Sequence, residues 1–101
     1  MALAFAKALA RGDWSAAHSM LAPSLRGGWQ PSDLKRAFGA MTSYWEKPAN
    51  SVELGVTDSE RAHVAIYSLS EWAGTVQEAV DVRVINEDGR WLIDDIVWGR
   101  P

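Results

Sequence analysis

The chain has 101 residues, 48% apolar and 23% charged, with a formal net charge of −3. A chain of that length buries about two-thirds of the surface it exposes when unfolded, so one core suffices, and this composition is not that of a disordered segment. Its ten basic residues are scattered, which argues against nucleic acid and anionic membrane as partners, and the absence of cysteine excludes disulfides, thiolate metal sites and thiol nucleophiles.

Ala2 to Ala10 is alanine-rich and predicts a first helix, with Phe5 and Leu9 one turn apart on one face. Gly12 suits its end, and Asp13 suits the N-cap of a second helix from Trp14 to Leu21. Pro23 closes that helix, and Pro23 to Gln30, with Gly27 and Gly28, reads as a loop holding Trp29. Pro31 fits the first turn of a third helix, with Asp33 at its positive end. Leu34, Ala37, Phe38, Met41 and Trp45 then form a single apolar stripe, and Lys47-Pro48 ends the helical half.

From Asn50 the period becomes two. Val52, Leu54 and Val56 predict one half-buried strand; Ala62, Val64 and Ile66 predict a second, with room to run on to Trp72 before a turn at Gly74. Val76, Val80, Val82 and Val84 share one face of a third strand. Asp88-Gly89 is a hairpin signal, and Trp91 to Trp98 form the last strand. Trp91 and Ile93 have one parity there and Ile96 and Trp98 the other, so a bulge at Asp94-Asp95 is expected to bring all four to one side.

The expected fold is therefore α+β: a single domain over residues 1–101, with two to three N-terminal helices packed on a curved four-stranded antiparallel sheet. The apolar start carries Lys7 within it and no basic region before it, so it reads as a helix and not as a signal peptide. With no apolar run long enough to span a membrane, the cytoplasm is the expected compartment. The abrupt helical start also suits a domain of a longer chain.

Three segments resemble one family. Ala8-Leu9-Ala10-Arg11-Gly12-Asp13-Trp14 resembles the helix–Gly-Asp–helix opening of nuclear-transport-factor-2-like (SnoaL-like) domains; Pro31-Ser32-Asp33-Leu34 into Phe38 resembles their third helix; Asp88-Gly89-Arg90-Trp91-Leu92-Ile93-Asp94-Asp95-Ile96 resembles their closing hairpin and final strand. The resemblance implies a cone-shaped fold whose members include steroid isomerases, polyketide cyclases, dehydratases, transport adaptors and accessory domains, so it selects no function. The chain is short for that family, and Arg26 to Trp29 leaves little room for an extra strand, which implies a small or filled cavity.

A cavity enzyme of this kind needs an acid or base inside the cone, where burial moves it toward neutrality. Glu78, on the valine face of the third strand, is one candidate base, or else an outward residue at an irregular strand end. His18, one turn after Trp14, is the other, or else a half-exposed helix histidine; His63 has solvent parity. Tyr44 and Tyr67 are candidate hydrogen-bond donors to an oxyanion, or core-rim tyrosines. Trp14, Trp29, Phe38, Trp45 and Trp91 are candidate ligand-stacking residues, or simply core. Neighbours on a strand point to opposite faces, so Asp94 and Asp95 are not a dyad. No metal-ligand spacing, phosphate loop or nucleophile motif is present, and no cofactor is expected. The expected role is a non-catalytic module for a small apolar ligand or a protein, homodimeric through its sheet face; the alternatives are a cofactor-independent isomerase, cyclase or dehydratase, and an accessory domain.

Overall fold

The computed structural model of the chain describes residues 1–57, 60–69 and 76–99. Four helices precede four strands: α1 (Ala2–Ala10), α2 (Trp14–Ser19), α3 (Pro23–Arg26), α4 (Pro31–Met41), β1 (Ser51–Thr57), β2 (Arg61–Ser68), β3 (Val76–Glu87) and β4 (Arg90–Trp98). The strands form one antiparallel sheet in the order β1-β2-β3-β4. The change of period near Asn50 is thus the boundary between the helical and the sheet halves. Trp72 and Gly74 lie outside the described residues.

The helices cover one face of the sheet. Phe5, Leu9, Leu21, Leu34, Met41, Val64, Ile66, Val80, Val82 and Ile93 are fully buried between the two layers. Phe38 joins them at 7% exposure. Each such side chain contributes about 1.5–3 kcal/mol by leaving water. The Asp88-Gly89 turn has φ of 54° and 84°, the left-handed pair that matches the twist of a two-residue hairpin.

Three local details differ from the sequence expectation. The second helix ends at Ser19, two residues early, because Met20 to Ala22 peels away to pair with β4. The Ile93 N–H donates to the Met20 carbonyl at 2.9 Å and the Ala22 N–H to the Ile93 carbonyl at 2.7 Å, which buries Leu21 and covers that part of the sheet edge. The segment from Pro23 is not all loop: Pro23 stands in the first turn of α3, where its missing N–H costs nothing, so the helices number four and not two to three. Finally, α4 stops at Met41, so Trp45 lies beyond it, held by a hydrogen bond from its N–H to the Thr42 carbonyl at 3.0 Å.

The bulge in β4 is present. Arg83 pairs with Asp95 and Val84 with Ile93, leaving Asp94 as the extra residue. Ile93, Ile96 and Trp98 consequently all pack toward the helices. Trp91 pairs with Asn86 and has the same facing as Ile93, yet beside the start of α1 it is 52% exposed.

Candidate functional site

Trp14, Phe38 and Trp45 line one open groove of about 420 Å³. Each is placed by a separate local device. Gly12, with φ of 76°, turns the chain from α1 into α2, and the Asp13 carboxylate accepts from the Ala16 N–H at 3.1 Å, which fixes Trp14 as the first residue of α2. At the start of α4 the Asp33 carboxylate accepts from the Gln30 N–H at 2.9 Å, the reciprocal half of a capping box, and so sets the rotation that aims Phe38 inward. The Trp14 and Phe38 rings lie 5.8 Å apart, tilted by 54°, within the range of favourable aromatic pairs. Trp45 closes the groove from the segment after α4, and its indole N–H is buried without a partner among the described residues.

The other two aromatic candidates stand elsewhere. Trp29 packs against Trp98 with ring centroids 5.8 Å apart and borders a separate hollow beside Asp33 and Arg36. Trp91 lies by Met1 and Leu3, at the opposite end of α1 from Leu9 and Ala10 of the groove.

The polar candidates divide in the same way. Glu78 pairs with Ile66 and shares the facing of Val80, toward the helices, and the Tyr44 hydroxyl donates to its carboxylate. Two candidates 34 residues apart are therefore in contact. The donor is engaged with the base itself, and Tyr44 is 47% exposed. Tyr67 lies on the outer face and donates to Glu53 at 3.3 Å. Partial burial of the ring, then the Glu53 charge and hydrogen bond, push the Tyr67 hydroxyl above its ordinary 10.0. His18 Nε2 lies 3.2 Å from the Arg26 carbonyl, which identifies that nitrogen as the donor and ties α2 to α3. His63 meets Asp81 on the outer face at 2.8 Å.

Asp94 and Asp95 serve different arginines. Asp94 accepts two hydrogen bonds from Arg83, at 2.8 and 2.9 Å, and Asp95 accepts one from Arg61 at 2.9 Å. The hydrogen bond and charge of Asp94 raise the Arg83 pKa further above its already high value. Among the described residues no three His, Asp or Glu side chains cluster as metal ligands, and no helix is long and apolar enough to cross a membrane.

Sequence reasoning missed the rim of the groove, Lys35, Glu46, Lys47, Pro48 and Ala49. Only Lys35 stands on a periodic element, so only its helical spacing from Phe38 and Thr42 could have placed it there.

No family model and no curated protein matches the chain. Among solved structures, the chain is similar to a protein of unknown function from Bacteroides thetaiotaomicron, at 13% identity and a TM-score of 0.46, over 95% of this chain and 88% of that one. It is similar also to a "Putative calcium/calmodulin dependent protein kinase II association domain" from Xanthomonas campestris, at 15% identity and a TM-score of 0.47, over 96% of this chain and 80% of that one.

Proposed function

We propose that the chain is a nuclear-transport-factor-2-like domain acting as a non-catalytic binding module, with a small apolar ligand seated in the groove of Trp14, Phe38 and Trp45. The observation that carries this reading is the convergence of three aromatic side chains on one open groove whose volume, about 420 Å³, falls in the range of small-molecule sites. The core behind the groove is lined with aliphatic and aromatic side chains. Titration with naphthamide, a flat neutral aromatic, tests it through tryptophan emission. Saturable quenching that is lost in Trp14→Ala and kept in Trp91→Phe supports the reading; no saturable change in the parent chain removes it. Pairing of two copies through the outer sheet face belongs to the same proposal. Light scattering at the dimer mass supports it, and a monomer mass removes it.

A second reading, a cofactor-independent cavity enzyme, is favoured by the Tyr44–Glu78 contact. It ranks below the first because the hydroxyl that would polarise a substrate donates to the carboxylate that would take its proton. Deuterium exchange beside the carbonyl of tetralone in heavy water separates the two. An enzyme accelerates the exchange and loses that acceleration in Glu78→Gln; a binding module leaves the exchange at its background rate.

A further inference from the structure

All three lysines of the chain, Lys7, Lys35 and Lys47, border the aromatic groove or the trough that adjoins it. The trough, of about 490 Å³, is bordered by Lys7, Arg11, Asn50, Ser51 and Val52, and it meets the groove at Ala10 and Ala49. None of the three lysine ammonium groups has an ion-pair or hydrogen-bond partner among the described residues. Four of the arginines are used differently: Arg11, Arg36, Arg61 and Arg83 pair with Asp13, Asp33, Asp95 and Asp94. Among the described residues, Glu46 is the one carboxylate bordering either concavity. In a chain of net charge −3, all three lysines thus gather around its aromatic groove, while Arg26 is spent on the Ser19 and Leu21 carbonyls and Arg90 stands at the β3–β4 hairpin.

We infer that the ligand of this groove is a flat aromatic anion, a carboxylate or sulfonate whose ring lies against Trp14, Phe38 and Trp45 and whose charge points to the lysines. The inference rests on the binding reading above and adds the charge of the ligand to it. The physical reason is complementarity. An apolar groove alone favours a ring of either charge, whereas three unpaired ammonium groups favour the anion. Among the described residues, the other two concavities offer no such combination: the patch beside Trp91 is bordered by apolar side chains, and the hollow beside Trp29 holds Asp33 and Arg36, which pair with each other.

Naphthoate and naphthamide have the same ring and nearly the same shape, and differ in charge. Calorimetric titration of both is expected to give naphthoate about two- to fivefold tighter binding at low salt, the scale of solvent-exposed ion pairs. That preference shrinks toward one in about 1 M salt, where the screening length falls to about 3 Å. In Lys7→Gln/Lys35→Gln/Lys47→Gln the two affinities converge; circular dichroism checks that the variant is folded. Equal affinity of the parent chain for both ligands overturns the inference and leaves the binding reading standing. A preference for naphthoate that survives the lysine substitutions also overturns it, because the charge is then recognised elsewhere. If neither ligand binds, both the inference and the binding reading fall.

Discussion

Arg83 on β3 grips Asp94, the extra residue of the β4 bulge, through two parallel hydrogen bonds of 2.8 and 2.9 Å. Side chains alternate along a strand, so one additional residue moves everything after it to the opposite face. Here that shift delivers Ile96 and Trp98 to the helix-covered side. Deleting Asp94 is expected to send both into solvent and abolish the cooperative thermal transition. Asp94→Asn keeps the bulge and weakens only its hold; a loss of about 1 kcal/mol, some 4–8 °C in midpoint, is expected. A deletion variant that melts like the parent chain would show that the bulge does not set the facing of Ile96 and Trp98.

Gly99 follows β4 where the backbone runs against Ala79. A methyl group there would collide with the Ala79 carbonyl oxygen and come within 3.0 Å of its nitrogen, and backbone atoms cannot swing aside. Gly99→Ala is expected to cost about 1–3 kcal/mol in urea denaturation. Gly27, in helical conformation with nothing within 4 Å of an added methyl, is the contrast. Gly27→Ala is expected to be neutral or to stabilise by about 0.4–1 kcal/mol.

The raised Tyr67 pKa makes stability fall in alkali. The folded chain holds that proton more tightly than the unfolded chain does. The stabilisation is therefore complete below the ordinary value of 10.0 and is lost as pH rises through the folded value. Tyr67→Phe is expected to lose less stability than the parent as pH rises above 10.0. Phenolate absorbance checks the assignment: the phase raised above 10.0 should vanish in the variant.

Tyr44 and Glu78 touch, but Tyr44 is 47% exposed, so their coupling is expected to be weak. A double-mutant cycle with Tyr44→Phe and Glu78→Gln should give under about 1 kcal/mol, as for other exposed polar pairs. A coupling of several kcal/mol would mark a desolvated pair and favour the enzyme reading.

The fold was largely legible because its signals are periodic. Leu34, Phe38 and Met41 recur at helical spacing and are buried; Val80 and Val82 alternate and are buried; the parity conflict between Ile93 and Ile96 located the bulge at Asp94. What was not legible depends on contacts distant in sequence. The early end of α2 reflects Leu21 pairing with Ile93, and nothing near Leu21 announces a partner 72 residues away. Pro23 reads equally as the end of one helix and the start of another, and the turn of α3 took the second use. The groove was legible in part: Trp14, Phe38 and Trp45 fall on helical spacing, although α4 stops before Trp45, whereas Glu46 and Lys47 come from an irregular segment with no period to follow.

The central claim is that the groove of Trp14, Phe38 and Trp45 holds a flat aromatic ligand. Intermolecular nuclear Overhauser effects between bound naphthoate and isotope-labelled protein test it most directly. The account predicts cross-peaks from the naphthyl protons to the rings of Trp14 and Phe38. Cross-peaks confined to Trp29 or Trp91, with the Trp14 and Phe38 rings silent, would contradict it.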